Sequence, residues 1–443
     1  YGAIQNGLIH TNRDVFNSDY RKQSDYFVTP RPSIVFAVDT GYDNVGRGSF
    51  SWMETRNSYH CIGERLYRTD ASFTVTEVTS GGNRFGIGSS TSDSDFVSRI
   101  KSIEMRNGTK YFIVQISKYS GTDWSTSETW YMTSGHVITK ITDADFPSNA
   151  MPGLAELDGY LFVLGSDGKI YNSDLNTPVN WTSGNNISTT RSADRPTTIF
   201  RYLNYIVSVQ DKSIEYFFDA GNATGSPLAR VDGAFLQVGS IAPHSFTEVA
   251  NGVAFIAKSL EGEHYVGLLS GMKVDKISTP HVDYMINSMS LSDTQKSYGY
   301  KMTVNGDDLY ILQLSSTASG NVTLVCHIET KTWTYWHQYD LSARFPLVSC
   351  AFDSTESIIY GVGLGGFGGT NNGKYIYKIS NIARDTVASG NNQSLLMNIT
   401  CNPTEFNNKN TFIRKVTLDY TVPNTTDAHT LILNTSENRG ASF

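Results

Sequence analysis

Along most of the chain, short apolar runs alternate with polar or glycine-rich turns, and the pattern repeats. The run "DGYLFVLGSDGKIYNSDL" from Asp158 shows the unit: an apolar strand, a tight turn, then a second strand carrying an aromatic. The same unit begins at Ser58, Lys110, Asn204, Asn251, Asp307 and Ser357. Marking the second strands by Tyr67, Tyr131, Tyr171, Tyr216, Tyr265, Val325 and Tyr377 gives a mean step of about 52 residues, near the ~40–50 of propeller blades. The steps are uneven, so the repeat is one of structure rather than of identical sequence. Within one strand Tyr160, Phe162 and Leu164 face one way and Leu161 and Val163 the other, and all are apolar. Such a strand is buried on both faces. Sheets stacked around an axis meet that need and leave only short edges, whereas a pair of β-sandwiches would show polar outer faces. The pattern predicts an all-β fold, a β-propeller of six or seven blades with seven favoured.

One segment departs from the strand period. In "PHVDYMINSMSLSDTQKSY", Val282, Met285, Ile286 and Met289 fall at i, i+3, i+4 and i+7, one stripe of a helix. Pro280 stands at its start, where a missing N–H costs little. This helix is expected to pack over the edge between two blades. At the ends, residues 1–33 read as a polar, irregular N-terminal arm, residues 34–392 as the propeller, and residues 393–443 as a C-terminal β-strand extension. The opening Tyr1 suggests a removed or omitted leader, and the stop at Phe443 a truncation.

Composition narrows the class. The 443 residues include 25 Tyr, 22 Phe and 38 Gly, with only 17% charged residues, as expected for strands joined by tight turns. The net charge is −7, and no cluster of Lys and Arg is present. A nucleic-acid clamp carries a basic face because phosphate neutralisation releases counterions. This chain would be a surface that DNA slides past. Cys61, Cys326, Cys350 and Cys401 are scattered and read as small buried apolar residues rather than zinc ligands. No apolar run is long enough to span a bilayer.

The chemical motifs do not add up to a reaction. The G-x-G-x-x-G at Gly363–Gly368 is followed by the strand "KYIYKIS" and not by a helix that could hold a pyrophosphate. It reads as a hairpin loop, and Lys374 is followed by Tyr375 where a phosphate loop needs Ser or Thr. Glu215 and Asp219, on one strand, would stand about 13 Å apart, beyond the ~5–9.5 Å of glycosidase carboxylates. The run Ser166–Trp181 faintly echoes the Asp-box hairpin of sialidases, which is structural there too. Nine histidines stand singly, and no nucleophile elbow occurs. No catalytic, cofactor-binding or metal-binding residue is assigned, and no cofactor is expected.

From Arg201, "RYLNYIVSVQDKSIEYFFDAGNATGSPLARVDGAFLQVGSIAP" joins an Ile-Glu-Tyr-Phe strand to a small-residue turn and a Gln-Val-Gly stretch before a proline. Together with "IYNSDLNTPVNW" at 170–181 and the opening "NRDVFNSDYRKQSDYFVTPRP", this resembles the packaged-DNA stabilisation proteins, or tail hub and nozzle proteins, of short-tailed bacteriophages. The resemblance covers about a quarter of the chain well and the rest in strand order. It implies a non-enzymatic virion protein of the phage tail, assembled as a homo-oligomeric, hexameric ring. Portal and adaptor proteins would lie above it, and fibre, spike or plug proteins beside or below. Double-stranded DNA would pass through the lumen without sequence-specific binding, retained before ejection and conducted during it. In "IEYFF", Ile214, Tyr216 and Phe218 are expected on one face and Glu215 and Phe217 on the other. Asn222, Gly225, Ser226 and Pro227 in the exposed turn are candidates for subunit contact. Gly365, Phe367 and Asn371 in the glycine-rich 361–373 loop are candidates for narrowing the channel. The alternatives are a carbohydrate-binding or glycosidase propeller acting on host-surface glycans, and a cellular propeller scaffold.

Overall fold

The computed structural model describes residues 4–11, 26–70, 72–79, 83–86, 96–189, 194–250, 252–304, 306–317, 320–338, 341, 343–353, 358–363, 374–380, 384–388 and 391–399. Seven antiparallel four-stranded meanders follow one another as blades of a propeller. Blades one to six run over 46–77, 96–140, 155–188, 196–236, 247–276 and 298–336. Blade seven takes three strands from 347–380 and its fourth, Ser33–Asp39, from the start of the chain. All seven aromatic or apolar markers chosen from the sequence lie on the third strand of a blade. First strands of neighbouring blades touch, as Gly46–Trp52 does with both Leu347–Asp353 and Phe96–Glu104.

The apolar residues sort into seven clusters, one at each junction between blades. Blade three shows how the two-sided pattern produces this. Leu161 and Val163 join the cluster shared with blade two, and Phe162 and Leu164 the cluster shared with blade four. Each junction therefore buries side chains from two sheets, and no blade is stable with a face uncovered. The predicted helix is Pro280–Asn287, capped by the Thr279 hydroxyl accepting from Val282 N. Its Val282, Met285 and Ile286 enter the cluster between blades five and six, with Met289 against its edge. A second helix, Leu291–Lys296, follows and was not foreseen. Among the described residues no helix is long and apolar enough to cross a membrane.

The beginning of the chain is not an irregular arm where it is described. Ile4–Gln5 pairs in parallel with Thr332–Trp336 of blade six, and Gly7–Thr11 forms a hairpin with Tyr26–Pro30. Ser33–Asp39 then bonds antiparallel to Tyr375–Ser380, with Ile376 opposite Val38 and Tyr377 opposite Phe36. This pairing closes the ring. On its far side Arg384–Ala388 adds in parallel, Thr386 opposite Val35, followed by Asn391–Ser394.

A buried polar knot fastens the seam. Arg31 and Asp385 are both fully buried and joined at 2.6 Å. Arg31 Nε also donates to Asn6 Oδ1 at 3.0 Å, and Ile34 N donates to Asp385 Oδ1 at 2.9 Å. Asn6, at φ 54°, gives its amide hydrogens to the carbonyls of Gln338 and Leu396. Among the described residues of this stretch, Asn6 and Arg31 are the polar side chains that meet at this buried point. Asp385→Ala leaves the guanidinium buried without its counter-charge and is expected to cost about 3–5 kcal/mol. Asp275→Ala, at the exposed Lys273 pair, is expected to cost less than about 1 kcal/mol. Chemical denaturation of the two variants checks the difference.

Candidate functional site

The propeller has two unlike faces. One carries the first-to-second and third-to-fourth turns of each blade; the other carries the second-to-third turns and the blade-to-blade connections. The two candidate loops leave opposite faces. Asn222–Pro227 joins the third and fourth strands of blade four, whereas the loop after Gly363 joins the second and third of blade seven. Gly365, Phe367 and Asn371 lie outside the described residues. Gly361 and Gly363, assigned to that loop from sequence, belong to the strand Ile358–Gly363. Gly361 is needed there because a Cβ would press on Leu347 and Ser349 O at 3.0 Å.

The turn of blade four is folded back on itself. Asp219 Oδ1 accepts from Gly221 N at 2.7 Å, and Ala220 N donates to Pro227 O at 2.8 Å. Asn222 Nδ2 reaches the carbonyls of Ser226 and Leu228. Gly221 and Gly225 hold φ of 66° and 74°, which L-residues adopt only with strain. Asn222 and Gly225 are exposed, but Ser226 and Pro227 are buried beneath the loop. They brace the turn from within. In the strand before it, Ile214 and Tyr216 join the cluster with blade five and Phe217 that with blade three. Phe218 is not in the core: it is 40% exposed at the strand end.

Beside this turn a cleft of about 690 Å³ opens between blades two, three and four, lined by Glu104, Arg106, Glu156, Asp158, Arg201 and Asp219. Four carboxylates against two guanidinium groups make it acidic. Arg201 Nη1 is held by Glu156 Oε2 at 2.9 Å and its Nε by Leu203 O at 3.0 Å. The turn Asp158–Gly159, with φ of 50° and 89°, forms the floor. Glu215, the other half of the carboxylate pair singled out in the sequence, is buried away from this cleft against Arg230 at 2.8 Å. The two acids serve different places. Exposed apolar side chains mark the same face: Met53, Val137, Leu175, Leu203, Phe218 and Met272. Leu203 is 64% exposed at φ 54°, an unfavourable conformation for a bulky residue.

Of the perturbed histidines, His60 and His264 are buried and His136 and His337 are half-buried. Burial lowers the affinity of His136, His264 and His337 for a proton, and pushes His60 down to about 3. His60 sits on the seam between blades one and seven, hydrogen bonded to Ser49 Oγ at 2.9 Å with its ring against Tyr360. Cys61 and Cys326 are buried, and burial pushes the Cys350 thiol up to about 12; Cys401 lies outside the described residues. Asp167 Oδ1 accepts from Lys169 N at 3.3 Å across a hairpin with Gly168 at φ 76°, a turn and not a site. Among the described residues no group of His, Cys, Asp and Glu is placed to hold a metal ion.

A family model described as "Bacteriophage P22 Gp10, beta-propeller", of the phage stabilisation family, matches residues 12–343. The chain belongs to this family. The match takes in the closing strand and the first six blades and stops just before blade seven. It makes the protein a bacteriophage component of a structural family, associated with the virion. No curated protein matches the sequence. Among solved structures, a chain of the crystal structure of the mitotic checkpoint complex is similar at 10% identity and a TM-score of 0.37. The likeness covers 78% of this chain and 92% of that one and is too slight to bear on function.

The closing knot of Asn6, Arg31 and Asp385 escaped sequence reasoning, since Asp385 is 354 residues from Arg31. A neutral His60 has a stated consequence. Its folded-state pKa of about 3 lies below the ~6.5 of an unfolded histidine. Its contribution to stability is therefore flat above pH 6.5. It falls as pH drops towards 3, by up to about 1.4 kcal/mol per pH unit. Urea denaturation from pH 7 to 4 is expected to be shallower in pH for His60→Asn than for the parent chain.

Proposed function

We propose that this propeller is a rigid wall segment of the phage tail hub or nozzle, in a hexameric ring below the portal and adaptor, retaining packaged DNA and conducting it during ejection. The closed seam carries the reading. A ring whose last sheet is completed by its first strand, with a core at every junction, resists deformation in all directions and makes a building block. Membership in the phage stabilisation family supports its place in the virion.

Charge supports the passive part of the role. Six copies would carry about −42 formal charges, and most described Lys and Arg already lie beside carboxylates. Arg65 pairs with Glu77, Lys110 with Glu54, Lys140 with Glu128, Lys258 with Asp211 and Lys301 with Asp308. Each basic contact to phosphate would add a salt-dependent grip; a wall that DNA must leave quickly is better without them. The lumen is therefore expected to be neutral to negative.

Imaging of DNA-filled particles by electron cryomicroscopy tests the reading. The expected result is six copies in a ring on the particle axis, below the portal, with a lumen free of a continuous Lys/Arg lining. A monomeric protein that turns over a panel of surface glycans, and is absent from that ring, would sink the proposal.

A further inference from the structure

The second and third strands of blade two, Lys110–Tyr119 and Trp124–Met132, are long, and the turn between them stands on the connection face. In a seven-bladed ring a turn at that position should meet only its neighbours. This one meets four successive blade-to-blade connections. Near its own blade, Thr126 N donates to Ala150 O at 2.8 Å, in the connection from blade two to three. Asp123 pairs with Arg195, in the connection from three to four. The Trp124 ring stands edge-on to His244, in the connection from four to five, with centroids 4.4 Å apart. In the connection from five to six, Trp124 Nε1 donates to Gln295 O at 2.8 Å. The Tyr119 hydroxyl donates to Gln295 Oε1 at 2.9 Å and lies 3.0 Å from Ser292 Oγ.

The last contact fixes the direction. Blade two and the junction of blades five and six are diametrically opposite in a ring of seven, so a turn that reaches from one to the other must cross the axis. The helix Leu291–Lys296 meets it there, directly before the first strand of blade six. Tyr119 and Trp124 are buried, as are His244 and Gln295. The Trp124 indole N–H and the Tyr119 hydroxyl are both bonded across it, and Lys296 lies over the Tyr119 ring at 4.9 Å, a cation held on an aromatic face. At the opposite face the first strands of blades six, seven and one line a recess of about 280 Å³ that includes Phe50, Met302 and Phe352.

We infer that this hairpin is an axial stopper. It closes the propeller's own central hole from the connection face, latched by Trp124 and Tyr119 to the helix on the far side. The consequence for DNA rests on the reading of a tail conduit given above: the path lies between copies of the chain, and no duplex threads a single propeller. The axis that the fold offers is structural.

Hydrogen exchange of the full-length protein, followed peptide by peptide, tests the stopper without any assembly. Trp124→Ala is expected to speed exchange at residues 291–297 by about tenfold or more while residues 347–363 of blade seven are unchanged. Tyr119→Phe, which keeps the ring and removes only the hydroxyl, is expected to give a smaller increase at the same residues, and serves should the alanine variant not fold. Unaltered exchange at 291–297 in both variants, or in Tyr119→Phe alone should Trp124→Ala not fold, overturns the stopper. In images of DNA-filled particles, duplex density between copies supports the stated path, and density along the axis of any one propeller overturns it. Particles in which no copy borders DNA overturn the conduit reading and the path with it, and the exchange result still decides the stopper.

Discussion

Everything in this molecule depends on joining the start of the chain to its last blade. Six blades complete themselves in sequence order, but the seventh has only three strands until Ser33–Asp39 arrives. Without it, Tyr375–Ser380 would be an open edge. The cluster of Ile62, Tyr67, Tyr360, Val362 and Ile376 between blades seven and one would lose part of its cover. Arg31 and Asp385 are 354 residues apart. Bringing such distant points together from an unfolded chain would cost about 5 kcal/mol in loop entropy alone. The cost is far lower once the intervening blades stand, so closure is naturally the last step. The knot of Asn6, Arg31 and Asp385 then makes the closed state specific, because the buried charges of Arg31 and Asp385 meet each other when the seam is shut.

Closure explains why the rest of the structure can be economical. Each blade needs an apolar pattern on both faces and turns at the ends, and little else. Variation is pushed to the turns and connections, where the chain does more than join strands. On one face the turns end in exposed apolar tips and enclose the acidic cleft of Glu104, Glu156, Asp158 and Asp219. On the other, the long hairpin of blade two crosses the axis. A block with a closed rim, a filled centre and exposed apolar tips on its turns and connections is suited to stacking against other blocks.

How much of this was legible depended on the range of the signal. The apolar two-sided strands, repeated, were enough for the architecture, and the markers from Tyr67 to Tyr377 all lie on equivalent strands. The helix at Pro280 was readable because its stripe is local. The candidate turn was half readable. Gly221 and Gly225 do hold the positive φ that glycine permits. Whether Ser226 and Pro227 point outward was set by Asn222 bonding across the loop, which no pattern announces. The long-range contacts were invisible for the same reason. Nothing in "RPS" near Arg31 signals an aspartate at 385, and nothing in "GTDW" signals a helix at 291. Phe218 misled because alternation continues to the end of the strand, where its side chain is 40% exposed.

The charge pattern carries the last step. A net charge of −7 on 443 residues is small, and by itself would not keep a phosphate backbone from binding. What matters is where the cations are. A lysine that already sits 2.6–2.9 Å from a carboxylate, as Lys140, Lys258 and Lys301 do, must break that pair to hold a phosphate. The exchange releases fewer condensed counterions than a free cation would, since the carboxylate it abandons gathers cations of its own. The driving force for gripping DNA is thus removed locally, pair by pair, rather than by bulk repulsion. A surface whose cations are paired in this way has a weaker hold on a phosphate backbone than one of unpaired cations.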